Sequence, residues 1–314
     1  VLVSVSRSRI CISACTAAAK EKILDFGSLD TLIIASRLGF VLNLQGEHEE
    51  AEAIHRRALA AREWMLGPDH PDTLISASNL GHVHCSQGRF EGAEVMHRRE
   101  LKGAEKVLGL DHPDILCSAN DLGIVLYSQG RCEEAEEMHR RALEGHKKAL
   151  RPDHPDTLIG VNNLGFAHHC QGQYKEAEEM HRRALEGQET VLGPNHPNTL
   201  LRICNLGLAL DSRGRYEEAE VTHRLAFEGQ ENVPGPNHPS ALLIASNLGS
   251  VFRNQGLYEQ SEVMYRRAAG GWRRSLGVSI HTLSGLLTAL LRFLNGRKAQ
   301  RIRESPSEFP SKVI

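Results

Sequence analysis

Apolar and small residues recur along this chain at three- and four-residue intervals, as in Leu74, Ala77, Leu80 and His84, or Leu242, Ala245, Leu248 and Phe252. That spacing puts them on one face of a helix. Between such blocks lie charged ones in which Glu and Arg stand four apart: Glu94 and Arg98, Glu136 and Arg140, Glu178 and Arg182, Glu220 and Arg224. Pairs of this kind stabilise an exposed helical face by a few tenths of a kcal/mol each. The two block types alternate, which predicts pairs of antiparallel helices, an apolar-striped helix A followed by a charged helix B.

The alternation has a fixed period. His-Pro recurs at His70, His112, His154, His196 and His238, and Leu-Gly at Leu38, Leu80, Leu122, Leu164, Leu206 and Leu248, each 42 residues after the last. A constant period of this size marks a solenoid. Each unit offers an N-cap candidate (Asp30, Asp72, Asp114, Asp156, Asn198, Ser240), so helix A is expected from near the next residue. The Gly after the central Leu weakens a helix by roughly 1 kcal/mol relative to Ala, and its recurrence predicts a close helix crossing. A second recurring Gly, from Gly46 to Gly256, marks the turn into helix B with positive φ. In this frame residues 1–25 read as a degenerate leading helix of a partial repeat and 26–277 as five to six units. Residues 278–296 read as a degenerate C-terminal helix, a cap or an unpaired half-repeat, and 297–314 as a disordered polar tail.

Composition narrows the function. The net charge of −2 gives no reason to expect a nucleic-acid or membrane partner, and no apolar run approaches the roughly 18 residues of a span. Seven cysteines form no C-x-x-C pair and share no repeat position, so reduced thiols in the cytoplasm are expected and neither a zinc site nor a disulfide. The opening VLVSVSRSRICISA lacks an initiator Met and reads as a fragment or internal start.

With Leu-Gly in helix A, an Ala in helix B (Ala93, Ala135, Ala177, Ala219) and Gly at the turn, the unit resembles the tetratricopeptide repeat. His97, His139, His181 and His223 stand in the aromatic slot of helix B. The long period, with H-P-D-T-L before helix A and Q-G-x-Y-x-E-A-E between the helices, is similar to the kinesin light chain class. The resemblance implies an all-α tetratricopeptide repeat solenoid, a right-handed superhelix of antiparallel helix pairs with the A helices on its concave side. It also implies a cytoplasmic, non-enzymatic protein–protein interaction scaffold, a cargo or adaptor module that binds extended peptide segments. Similar arrays form the C-terminal sensor of larger nucleotide-binding signalling ATPases, which is the alternative.

One position before the central Leu stand Asn79, Asn163, Asn205 and Asn247, with Arg37 and Asp121 in the remaining units. The resemblance implies that this ladder holds a peptide backbone, since an amide donates and accepts at once. Asn120, Asn162, His82 and Phe166 would complete the groove. The competing reading is that the amides pack between repeats. Ile75, Ile159, Leu201 and Leu243 occupy the place where a carboxylate-clamping array has Lys, so an internal segment is expected rather than a free C-terminus. Glu136 with His139, or Glu178 with His181, could present two metal ligands, the distant alternative being a metal-dependent enzyme. The helix-B histidines recur once per unit without converging, so no catalytic residue, cofactor or metal is expected. The Arg-Arg pairs of helix B are offset by nearby Glu and read as a solvated face. The C-terminal leucine face, Leu283 to Leu294, is a surface for self-association.

Overall fold

The computed structural model describes residues 28–109, 112–232 and 237–276, with side chains as far as 272. Expectations for residues 1–25 and 278–314, including self-association through the last helix, lie outside the described residues. Every described element is a helix. The chain forms two compact units that divide after Gln173. The first holds α1 (Leu29–Gln45), α2 (His48–Leu66), α3 (Pro71–Ser86), α4 (Phe90–Leu108), α5 (Pro113–Ser128), α6 (Cys132–Ala149) and α7 (Pro155–Cys170). The second holds α8 (Tyr174–Leu192), α9 (Pro197–Ser212), α10 (Tyr216–Asn232), α11 (Pro239–Asn254) and α12 (Tyr258–Leu276). Within each unit every helix packs on the next, and A helices also touch, as α5 touches α7 and α9 touches α11.

The helix starts correct one expectation. The N-caps are not the Asp, Asn and Ser residues but His70, His112, His154, His196 and His238, with Pro at the first helical position. Each His Nδ1 accepts the backbone N–H two residues on, at 3.2 Å in His70, His112, His154 and His196. In α1, which lacks the His-Pro pair, Ser28 caps instead. The physical reason is that Pro is favoured at the first helical position, so the cap lies just before it and the acidic residue falls in the first turn, facing the positive helix end. The buried Thr that follows bonds back to the loop leaving the preceding helix B, Thr73 Oγ1 to the Gly67 carbonyl at 2.8 Å and Thr157 Oγ1 to that of Arg151 at 3.0 Å. Losing such a cap costs about 1 kcal/mol, so His112→Ala should lower stability by that amount in chemical unfolding and His112→Asn should recover most of it.

The apolar stripe of helix A forms the core as expected, with Leu74, Ala77, Leu80 and His84 buried, and Leu242, Ala245, Leu248 and Phe252 likewise. The Leu-Gly glycine has a specific partner. A Cβ built on Gly39, Gly81, Gly123 or Gly207 would lie 2.5–2.7 Å from the ring of His55, His97, His139 or His223 in turn. The histidine therefore packs flat against helix-A backbone, and only Gly leaves room for it. Tyr265 fills the same slot over Gly249. The turn glycines Gly46, Gly88, Gly130, Gly172, Gly214 and Gly256 do take positive φ, from 72° to 84°.

The Glu–Arg pairs form, but the Glu side is not exposed. Glu52 accepts from Arg56 in its own helix and, in the next repeat, from Gln87 and Arg89, both at 2.8 Å. Glu94 does the same with Arg98, Gln129 and Arg131. Glu136 takes Arg140 and Gln171. In the second unit Glu178 takes Arg182, Arg213 and Arg215, and Glu220 takes Arg224 and Gln255. Each carboxylate is thus a bracket between one helix B and the turn of the following repeat. The second arginine of the pairs also crosses between repeats, Arg99 to Glu63 and Arg141 to Glu105, both at 2.6 Å.

Cys132 and Cys170 are joined in a disulfide with their Cα atoms 5.8 Å apart, which corrects the expectation of unpaired thiols. The two stand 38 residues apart, four short of the period, which places the end of one helix A beside the start of the previous helix B. Gln171 Nε2, donating to the Cys132 carbonyl at 3.2 Å, spans the same junction.

Candidate partner-binding face

The exposed side of each helix A carries three rows at i, i+4 and i+7. In the first unit the outer row is Ile33, Ile75, Cys117 and Ile159, all exposed, with Ile75 at 54%. The middle row is Arg37, Asn79, Asp121 and Asn163, of which the last three are half-buried. The third row is Phe40, His82, Ile124 and Phe166; Phe40 is 58% exposed and Phe166 half-buried against Tyr127, ring centroids 6.0 Å apart. In the second unit, described by itself, the equivalent outer position Leu243 is 49% exposed and the equivalent middle positions Asn205 and Asn247 are half-buried. Apolar side chains thus flank the amide ladder on both sides. The sequence contained this signal. Ile75, Ile159, Leu201 and Leu243 are apolar at one repeat position that points away from the core, and they served there only to argue against a clamp.

The amides also bond across the repeat boundary. Asn163 Nδ2 donates to Asn120 Oδ1 at 2.9 Å, His139 Nδ1 lies 3.0 Å from the same oxygen, and the buried Asn162 donates to Asn163 Oδ1 at 3.3 Å. Asn120, Asn162 and Asn163 are therefore brought together in one network. In the second unit Asn247 Nδ2 reaches Cys204 Sγ at 3.2 Å, again 43 residues back. A primary amide has two donors and a two-lone-pair acceptor, so one bond to a neighbouring repeat leaves capacity for a ligand.

The Glu-x-x-His pair is not brought to one point in the first unit. Glu136 is bracketed by Arg140 and Gln171, while His139 turns to Asn120. Burial pushes the His139 imidazole down to about 4, an effect the Asp121 charge opposes, so the ring is neutral over the physiological range. His82 behaves oppositely. Its hydrogen bond to Asp121, with Nε2 3.1 Å from Oδ2, raises it above the ordinary value against the effect of burial. The helix-B histidines do not meet one another, but one of them, His97, lies with His82 and Asp121 so that one ligand atom of each is within 4.8 Å of the others. Sequence reasoning missed the cluster because its members come from three helices of two repeats.

The profile of the tetratricopeptide repeat family matches residues 30–106, 76–148, 114–190, 156–231 and 203–274. No curated protein matches the chain. Among solved structures, a designated kinesin light chain of Podosopora anserina with nearly identical TPR-like repeats is similar, with 23% identity and TM-score 0.54, over 66% of this chain and 98% of that one. BtubC (BKLC) from P. vanneervenii is similar at 20% identity and TM-score 0.59, over 85% of this chain and 98% of its own. A signal transduction ATPase with numerous domains from Pyrococcus horikoshii, carrying a tetratricopeptide repeat sensor, is 14% identical with TM-score 0.61, over 91% of this chain and 42% of that protein. At these identities the likeness concerns the fold. Among the described residues no helix is long and apolar enough to cross a membrane.

Proposed function

We propose, for a chain that belongs to the tetratricopeptide repeat family, that it is a non-enzymatic scaffold binding an extended protein segment along its A helices. The observation that carries this reading is the pairing of rows on the exposed face, apolar Ile33, Ile75 and Ile159 beside the amides of Asn79 and Asn163. Apolar side chains of the segment would bury against the outer rows, while its backbone N–H and C=O groups meet the spare capacity of the amides. The role that goes with it is a kinesin-light-chain-like cargo or adaptor module in the cytoplasm, where Cys132 and Cys170 would pair only on oxidation. The likeness to the Pyrococcus horikoshii protein supports a second reading, the sensor array of a larger signalling ATPase. A phosphate-binding G-x-x-x-x-G-K-[ST] loop in the same transcript would decide for it.

A peptide-array screen followed by fluorescence titration tests the face itself. Ile75→Ser with Ile159→Ser should weaken a selected peptide about ten-fold at unchanged melting, because both side chains are exposed in the free protein. Asn79→Ala with Asn163→Ala, both in the first unit, should weaken it about ten-fold or more, with a small loss of stability from the Asn120 bond. Arg140→Ala with Arg141→Ala, on helix B, should leave affinity alone. Binding indifferent to both A-face pairs would move the site elsewhere.

A further inference from the structure

We propose that His82, His97 and Asp121 form a binding site for a divalent transition-metal ion of the zinc class. The three residues come from α3, α4 and α5, and one ligand atom of each lies within 4.8 Å of the other two. His82 Nε2 stands 3.1 Å from Asp121 Oδ2, and the His82 and His97 rings meet edge to face with centroids 4.9 Å apart. His97 is fully buried, and its Nε2 has no hydrogen-bond partner. A buried ring nitrogen left unsatisfied is costly, and coordination would satisfy it. On the other side of that ring, Nδ1 lies 3.5 Å from Glu100 Oε2, and Ser118 Oγ fixes the same carboxylate by donating to Oε1 at 2.8 Å. A carboxylate behind an imidazole is the usual outer support of a metal-bound histidine, setting its tautomer and orientation.

The repeat supplies its own control. The His82 position holds Phe40, Ile124, Phe166, Leu208 and Ser250 in the other units, and the Asp121 position holds Arg37, Asn79, Asn163, Asn205 and Asn247. The Glu100 position holds Ala58, Ala142, Ala184, Ala226 and Ala268, each fully buried. Three residues that each occur once at their repeat position therefore meet around one histidine. Unrelated drift would scatter them over six units.

Two imidazoles and one carboxylate are a three-ligand set for zinc, with water in the fourth place, and nitrogen donors select against magnesium and calcium. Ligands of a tetrahedral ion stand about 3.3 Å apart at bond lengths near 2.0–2.1 Å, so the site must close by up to about 1.5 Å. His82 is exposed and Asp121 half-buried, so both side chains can move that far.

The test uses chelator-stripped protein titrated with zinc by calorimetry and with cobalt by visible absorption. One ion per chain is expected, with a thermal midpoint raised by several degrees when the ion is in excess over its dissociation constant. His82→Ala and Asp121→Asn should each weaken binding at least ten-fold while leaving the metal-free midpoint near wild type, and Glu100→Gln should weaken it ten-fold or more. His97→Ala vacates a core slot and can unfold the repeat, so the surface pair carries the test. Absence of binding at micromolar ion, or stoichiometric binding that survives His82→Ala combined with Asp121→Asn, would overturn the site. His82 and Asp121 also lie on the A-helix face, so the metal titration is read by itself and the peptide face is tested through Ile75 and Ile159, which are not among the three ligands.

Discussion

Acidification from pH 7 to pH 5 is expected to destabilise the protein by several kcal/mol, before its carboxylate brackets are touched. Burial pushes the imidazoles of His55, His139 and His223 down to about 4, with the charges of Arg62 and His82 adding to the effect on His55. In the unfolded chain the same rings titrate near 6.5. Between those values the unfolded state holds more protons than the folded one, so stability falls as pH falls through this window, and the imidazole contribution levels off below about 4. Each ring is worth roughly 3 kcal/mol at most, against a total of about 5–15 kcal/mol for a typical domain. His82 is shifted the other way by Asp121 and offsets part of the loss. Glu52 and Glu94 do not contribute here. Burial raises their carboxyls, but hydrogen bonds from Gln87 and Arg56, and from Arg98, Gln129 and Arg131, hold both at about 2. Their stabilisation is lost only below pH 4.5. Urea unfolding at pH 7.5, 6, 5 and 4 should show the midpoint falling mainly between the second and last. His223→Phe, which puts an aromatic where Tyr265 already sits in its repeat, should flatten the curve. A midpoint constant down to pH 4.5 would mean the rings accept protons without leaving the glycine slot.

Much of this fold was legible because the chain repeats itself. Six copies of Leu-Gly and five of His-Pro fix the helix pair and its length, and the glycine against the helix-B histidine follows from a residue that no solitary helix would favour. What escaped depends on positions offset from the period. Glu52 meets residues 35 and 37 further on, Asn163 reaches 43 back, and Cys132 pairs 38 ahead, so each contact joins nonequivalent positions of adjacent units. A scan for like positions cannot see them. The cap was misplaced because a histidine acceptor is an uncommon choice when an aspartate stands two residues away. The apolar row from Ile33 to Ile159 was visible but silent, since a hydrophobic residue in a helix reads as core until its face is known.

Glu178→Ala is expected to be the most damaging single change among the bracket carboxylates, costing about 3 kcal/mol. The Glu178 side chain is 3% exposed, against 13% for Glu52 and 23% for Glu220, and it accepts from three arginines, Arg182, Arg213 and Arg215. Burial alone would raise its carboxyl, but the bonds from Arg182 and Arg213 and the Arg182 charge bring it below the usual range. Breaking a buried pair by removing one partner costs about 3–5 kcal/mol, because the remaining charge loses its compensation. Here the arginines are each at least one-third exposed and can recover water, which places the expected loss at the lower end. It corresponds to a fall in the thermal midpoint of about 10–15 °C for a unit of this size. Glu220→Ala removes a bracket with one arginine, Arg224, and one amide, Gln255, and Leu257 stands where the second arginine would be. It should cost about 1 kcal/mol. Hydrogen exchange separates local from global effects: Glu178→Ala should speed exchange in α8 to α10 ahead of α12, since a repeat array loosens from the broken junction outward. Equal losses for the two alanine variants would show that the number of arginines gathered on a carboxylate does not set the strength of the junction.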